Sequence, residues 1–582
     1  MSYPKITDKN FYNKITKKYN RYTIPKKRKT FRQICYPKEF ILQPSQKFLA
    51  KYINPKTPYK GILVFHGIGS GKTITAIQIA EQWKYKRKIV VVVPASLIGN
   101  FRDELRSPGA KNAYLSNRDR NKLKILHPAS EEYKTIIEKS DKRIDKYYNI
   151  YSYNKFVEKA KNDEMPLRNT ILFVDEIQNM ISEDGIYYET LYDTIHNAPT
   201  SLRVVLLSAT ALINKPIELA LTFNLLRIPY ELPTGKEFER MFIKYYTKRG
   251  KIHAKAKNLD IFKERIRGYV SFFRGADPRA YPKAIVKYVK CEMSNFQYRS
   301  YITVLKQEEK RSGINIKRRH KIFKKGQLKS LSPSFYSGVR AISNIAFPNK
   351  YIGERGYRSL QGKYLKLNNV KKYSIKFYKI IKKIMRGTGT MFVYSNFKEY
   401  GGLKSFAKLL EAQGYSNYFD YGSGYKRYGL WTGDIKPHLR EEMKAVFNNP
   451  NNINGSKIKL ILLSPSAREG ISFKSVREVH ILEPFWNRAR IDQIMGRGIR
   501  YCSHFMLPPE KRNVKVYIYL ATHHELKESV DQFIKSLADR KNKLGETFNQ
   551  AMKESAIDCE LFYNGNVYPE DRREGRDIVC EV

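Results

Sequence analysis

Short apolar runs, each followed by a turn and an amphipathic stretch, set the pattern of this chain. Residues 61–65, 89–93, 171–174 and 204–207 form one such set, and residues 391–394, 458–463, 479–482 and 516–520 form another. Strands buried on both faces need no polar alternation, so runs of this length between helix-like segments predict two parallel sheets covered by helices. Between the two sets, residues 226–365 have less strand character and are expected to be a mainly helical, basic insertion. The resulting division is a basic N-terminal arm at 1–40, a first α/β domain at 41–225, the insertion at 226–365, a second α/β domain at 366–540 and an acidic tail at 541–582.

Charge changes the picture next. The 582 residues carry 109 Lys plus Arg against 55 Asp plus Glu, a formal charge of +54. A codon bias toward Lys, Tyr and Asn would favour Glu and Asp too, so it does not account for that imbalance. Lys and Arg along a phosphate backbone gain affinity by releasing counterions, which makes a nucleic acid the expected partner. The first 40 residues hold 12 Lys or Arg, and residues 310–329 hold nine with no acid. The latter run reads equally as a solvated face or as a phosphate contact. No uninterrupted apolar stretch reaches the roughly 18 residues of a membrane span, and the N-terminus lacks the apolar core of a secretory signal. A soluble, cytoplasmic protein without membrane contact is therefore expected. The five cysteines are never spaced Cys-x-x-Cys, so neither a disulfide framework nor zinc is expected.

Candidate chemistry begins at His66-Gly67-Ile68-Gly69-Ser70-Gly71-Lys72-Thr73, between a predicted strand and a predicted helix. Glycines let successive N–H groups converge on phosphate oxygens at a helix N-terminus. Lys72 then reaches the β and γ phosphates of ATP, and the Thr73 hydroxyl ligates Mg²⁺. One departure stands out: His66 occupies the place where the phosphate-loop pattern has its first glycine. Further along, an apolar run ends in Asp175-Glu176. Asp175 would hold Mg²⁺, partly through water, and Glu176 would orient and deprotonate the attacking water.

The string Asp175-Glu176-Ile177-Gln178 resembles the DExx box of superfamily 2 helicases, and further motifs of that family follow in order. Gln46, in Leu42-Gln43-Pro44-Ser45-Gln46, matches the glutamine that recognises adenine. Val92-Val93-Pro94-Ala95-Ser96-Leu97 resembles a strand-end element that touches nucleic acid, which assigns Pro94 and Ser96. Ser208-Ala209-Thr210 resembles the coupling motif, so Ser208 and Thr210 take that role, with Gly470 in Glu469-Gly470-Ile471-Ser472. Ser395, in Val393-Tyr394-Ser395-Asn396-Phe397, is a further nucleic-acid contact by the same resemblance. Gln493-Ile494-Met495-Gly496-Arg497-Gly498-Ile499-Arg500 matches the QxxGRxxR motif, which makes Gln493, Arg497 and Arg500 catalytic alongside Lys72, Asp175 and Glu176.

The resemblance implies two tandem RecA-like domains and an ATP hydrolase that moves along nucleic acid, DNA rather than RNA. Phosphoryl transfer needs charge neutralised around the γ-phosphate, and the family draws its arginines from the second lobe, so hydrolysis is expected to require closure of a cleft. A narrower likeness lies in residues 208–216, Gly268-Tyr269-Val270-Ser271-Phe272-Phe273-Arg274-Gly275, Ser343-Asn344-Ile345-Ala346-Phe347-Pro348 and Ala556-Ile557-Asp558-Cys559. These look like the poxvirus nucleoside triphosphatase and early-transcription-factor small-subunit group, with the helicases of linear cytoplasmic killer plasmids of yeasts as the nearest match. That group implies a role in transcription or replication of a cytoplasmic genetic element, with an RNA polymerase or capping machinery as a candidate partner. Its alternative is a transcription-factor ATPase that remodels a promoter or releases transcript without separating strands.

Overall fold

The computed structural model describes every residue except 1, 27–28, 38, 128–129, 182–184, 211–214, 249–250, 276, 313–335 and 466–470. Gly470, residues 211–214 and all but the first residues of the basic run 310–329 fall outside the described residues. The chain divides into two units, one of residues 1–245, 254–277 and 543–582, the other of residues 246–253 and 278–542.

The first unit is built on strands β1 (Gly61–His66), β2 (Lys88–Val93), β3 (Tyr148–Ser152), β4 (Thr170–Val174) and β5 (Arg203–Ser208). A separate two-stranded sheet, β6 (Ile243–Lys248) with β7 (Lys251–Ala256), precedes β8 (Val270–Phe273). The six-stranded sheet runs β3-β2-β4-β5-β1-β8, and every pairing in it is parallel. All residues of β1, β4 and β8 are buried, which is the physical origin of their uninterrupted apolar runs. One face packs a core containing Leu63, Val92, Leu172 and Leu206, and the other packs Ile62, Val64, Ile77 and Phe173.

The second unit carries β9 (Lys283–Glu292), β10 (Thr390–Tyr394), β11 (Ser416–Asn417), β12 (Arg427–Trp431), β13 (Leu460–Leu463), β14 (Val476–Ile481) and β15 (Asn513–Thr522). Its order is β11-β12-β13-β10-β14-β15-β9, again with every pairing parallel. Two helix-covered parallel sheets of this kind are tandem RecA-like α/β domains.

Three segments carry more structure than their composition predicts. Residues 226–365 contain helices at Gly235–Phe242, Leu259–Arg265, Asn295–Ser312 and Ser337–Asn344, but they also contain β8, which joins the first sheet, and β9, which joins the second. Strand β9 (Lys-Ala-Ile-Val-Lys-Tyr-Val-Lys-Cys-Glu) is mostly solvent-facing and lysine-rich, as suits an edge strand, and this masks its strand character. Within 1–40, the helix Phe11–Tyr19 buries Phe11, Tyr12, Ile15 and Tyr19, an amphipathic stripe that joins Phe48 and Tyr52 in the core. In the 541–582 segment, Ile557, Leu561 and Phe562 enter that same core, and Cys559 is disulfide-bonded to Cys580. A pairing across 21 residues leaves no Cys-x-x-Cys signature, so the expectation of no disulfide is corrected there. Among the described residues, no helix is long and apolar enough to cross a membrane.

Candidate active site

Parallel pairing puts the carboxyl ends of β4, β5 and β1 side by side, and the three first-unit motifs leave from those ends. The loop after β1 runs into the helix Lys72–Trp83. Two different constraints require its glycines. Gly69 and Gly71 both have φ of +77°, a left-handed conformation that side chains disfavour. Gly67 is fixed by contact instead, since a Cβ there would lie 2.0 Å from the Arg274 carbonyl oxygen. The Gly67 N–H donates to the Phe273 carbonyl at 2.8 Å, so the loop is stitched to the end of β8.

Lys72 Nζ donates to the His66 carbonyl oxygen at 3.3 Å, which keeps the ammonium over its own loop. The first turn of the helix leaves its N–H groups without intrahelical acceptors, as an anion site requires. Ser70 Oγ is buried with no hydrogen-bond partner among the described residues. A buried polar atom of this kind costs free energy until a ligand satisfies it, and a phosphate oxygen fits that need. Thr73 and Asp175 offer hydroxyl and carboxylate oxygens, the hard donors that Mg²⁺ takes. Gln46 is only 4% exposed; its Oε1 accepts from the Gln43 N–H at 2.8 Å and its Nε2 donates to the Gly71 carbonyl at 3.3 Å. In this structure, Gln46 thus ties the helix Pro44–Tyr52 to the phosphate loop.

At the end of β4, Asp175 Oδ1 accepts from the Glu176 N–H at 2.9 Å. Glu176 itself has φ of +48°, a left-handed conformation that costs a non-glycine residue about 1 kcal/mol or more and is held by its surroundings. Tyr153 supplies part of that hold, its hydroxyl lying 2.6 Å from the Asp175 carbonyl oxygen and 3.0 Å from that of Glu176. Gln178 Nε2 donates to Glu176 Oε2 at 2.5 Å, while its Oε1 accepts from Ser208 Oγ at 2.6 Å. Ser208 Oγ in turn accepts from the Thr210 N–H at 3.0 Å. The structure therefore joins Glu176 to Ser208 and Thr210 through one amide. Gln178 is the fourth residue of the DExx string, which leaves that position without an assigned role, and Tyr153 lies outside every motif, with no periodic or spacing signal of its own.

Gln178→Ala is expected to lower kcat for ATP about tenfold while leaving KM for ATP within about twofold, because it frees the Glu176 carboxylate without touching the loop. Steady-state ATPase kinetics check this; an unchanged kcat would remove Gln178 from the chain.

Among the nucleic-acid candidates, Pro94 is buried and Ser96 is exposed, both just past the end of β2. Ser395 is fully buried, and its hydroxyl donates to Glu483 Oε1 at 2.5 Å. Glu483, also fully buried, further accepts from the Asn396 N–H at 3.0 Å and Asn344 Nδ2 at 2.6 Å. The Ser395 side chain thus serves the interior of the second unit, and Glu483 is the organising group that sequence reasoning missed.

The helix Arg488–Met495 is capped by Asn487, whose Oδ1 accepts from the Arg490 N–H, and carries Gln493 on its last turn. Arg497 and Arg500 follow it, and both point a guanidinium at the Ile471 carbonyl, Arg500 Nη2 at 2.9 Å and Arg497 Nη1 at 3.4 Å. The QxxGRxxR segment is thereby packed on the residues that follow Gly470.

The SNF2-related domain family matches residues 45–334, and the helicase conserved C-terminal domain family matches residues 376–502. A protein of Acanthamoeba polyphaga mimivirus, named as a candidate ATP-dependent RNA helicase, is 50% identical over 100% of this chain and 99% of its own length. The chain belongs to the superfamily 2 helicases. It is an ATP-hydrolysing enzyme of that superfamily and binds nucleic acid. A termination factor NPH-I homolog of African swine fever virus is 26% identical to this helicase over 87% of the chain and 77% of its own length. Among solved structures, the Pyrococcus furiosus Hef helicase domain aligns at 12% identity over 82% of the helicase and 94% of that chain, with a TM-score of 0.39.

Proposed function

We propose that this helicase is a Mg²⁺-dependent DNA translocase that serves transcription of a cytoplasmic DNA genome. The observation that carries the reading is the ordered motif set, with the phosphate loop, Asp175-Glu176 and Ser208-Ala209-Thr210 on adjacent parallel strand ends. Lys72 and the loop amides bind the phosphates of ATP, Thr73 and Asp175 hold Mg²⁺, and Glu176 takes the proton of the attacking water. Bound Mg²⁺ supplies charge neutralisation at the β and γ phosphates. Arg497 and Arg500 act on the charge of the transferring phosphoryl, and Gln493 orients around it. Ser96, exposed just past β2, meets the nucleic-acid strand through its sugar-phosphate backbone, a contact that carries no base information, while the buried Pro94 shapes the turn that presents it. The formal charge of +54 supports a polyanionic track of some length.

DNA is favoured by the likeness to the poxvirus group, and the NPH-I name of the African swine fever relative supports transcription as the setting. The mimivirus relative's name points to RNA, so the nucleic acid is the first thing to test. Placement beside yeast killer-plasmid helicases rests on the shared strings alone. A transcript-releasing ATPase that separates no strands is the second reading, favoured by the words "termination factor" in that relative's name.

ATPase stimulation by single-stranded DNA, duplex DNA and RNA, each at two salt concentrations, tests the proposal. DNA is expected to stimulate more than RNA, and stimulation is expected to fall steeply with salt. Stimulation by RNA alone would overturn the DNA reading, and indifference to salt would overturn the charge argument. Unwinding of a tailed duplex, set against triplex displacement, separates helicase from translocase.

A further inference from the structure

We propose that His66, Ser271 and Asp558 are positioning residues for ATP binding, a buried hydrogen-bonded strut through which the C-terminal segment sets the phosphate loop. The inference rests on the assignment of that loop as the ATP site and goes beyond it by bringing in two segments that no motif assigns to catalysis.

Strand geometry puts the three groups together. Ser271 pairs in register with Val64, and two-residue alternation places Val64 and His66 on the same face of β1. On that face Ile557, Leu561 and Phe562 pack, bringing Asp558 under the loop. His66 Nε2 lies 2.8 Å from Ser271 Oγ, Ser271 Oγ bonds Asp558 Oδ2, and Asp558 Oδ1 accepts from the Phe272 N–H at 2.9 Å. His66, Ser271 and Asp558 are all completely buried. The C-terminal segment grips β8 at two further points. The Ile557 N–H donates to the Val270 carbonyl at 2.9 Å, and the Asn566 amide both donates to the Phe272 carbonyl and accepts from the Arg274 N–H. Strand β8 then holds the loop through the Gly67 N–H and the close Gly67–Arg274 approach.

Proton accounting makes the strut a directional chain. Ser271 has a single hydroxyl proton. With Asp558 ionised, Ser271 donates to the carboxylate, and His66 must donate from Nε2. With Asp558 protonated, the carboxyl donates to Ser271, Ser271 donates to His66 Nε2, and the imidazole proton sits on Nδ1. Burial raises the Asp558 pKa to about 7, and burial together with the nearby Lys72 lowers that of His66 to about 3, so the imidazole is neutral in either arrangement. A neutral side chain at the first loop position leaves the His66 carbonyl to receive Lys72 without a second positive charge beside it. This also accounts for the one departure from the phosphate-loop pattern: glycine at that place could not reach Ser271.

The test is steady-state ATP kinetics and titration with fluorescent ADP on the full chain, with Ser271→Ala, Ser271→Thr, Asp558→Ala and Lys72→Ala measured in parallel. A loop that cradles phosphate equally in the ground and transition states loses uniform binding when its support goes. KM for ATP and Kd for ADP are therefore expected to rise about tenfold in Ser271→Ala and Asp558→Ala, with kcat within about threefold, and Ser271→Thr is expected to restore both to within about twofold. Ser271→Ala with unchanged KM, while Lys72→Ala loses turnover, would overturn the strut and leave the phosphate site standing. Equal impairment in Ser271→Thr and Ser271→Ala would mean packing rather than hydrogen bonding, and overturns it too. Turnover retained in Lys72→Ala would bring down the phosphate-site assignment and the strut together. Should Ser271→Ala melt too low to assay, Ser271→Cys keeps the volume but only a weak donor, and an unchanged KM there is equally fatal.

Discussion

Lys72→Ala is expected to reduce ATP turnover by on the order of 10³ or more while leaving nucleic-acid affinity within about twofold. The lysine is the cation of the loop, and its ammonium already sits over the His66 carbonyl, from which it can transfer to the β and γ phosphates. Truncation leaves the helix N-terminus and its amides in place, so nucleotide can still dock, but the charge that builds on the γ-phosphoryl oxygens loses its counterion. Side by side, an ATPase assay at saturating DNA and a DNA-binding titration read the two effects. Turnover surviving the substitution would refute the phosphate-site assignment.

Arg500→Ala is expected to lower kcat by about 10³-fold with KM for ATP close to that of the unaltered enzyme. The assigned role is stabilisation of charge that develops only during phosphoryl transfer, so its loss falls on the transition state and spares ground-state binding. In the structure, Arg500 Nη2 donates to the Ile471 carbonyl at 2.9 Å, next to Arg497, which donates to the same oxygen. Single-turnover measurement separates hydrolysis from product release. A normal hydrolytic rate would strip Arg500 of the role that resemblance gives it.

Much of the architecture was legible before any coordinates. Apolar runs at 171–174 and 204–207 became strands β4 and β5 because both faces are covered, and a short continuous apolar sequence says so directly. Strands β8 and β9 were not legible. One is only four residues long, and the other is a lysine-rich edge whose solvent-facing side mimics a charged loop or helix face. The helix Phe11–Tyr19 sits in a stretch whose net charge suggested an arm, yet its aromatic stripe packs into the first unit. Charge describes the exposed face of a segment and says little about the buried one.

By itself, the sequence determined the chemistry: a glycine-rich phosphate loop, a carboxylate pair at a strand end and a spaced arginine pair, each defined by residues near one another along the chain. Tertiary structure alone decided what holds them. Gln178 joining Glu176 to Ser208, Glu483 claiming Ser395, and Asp558 reaching His66 through Ser271 depend on hydrogen bonds between residues up to 287 positions apart. Local spacing encodes a motif because its atoms share one turn or strand end. A buried polar partner is chosen by whichever group the packed sheet delivers to it, and that choice leaves no period in the chain.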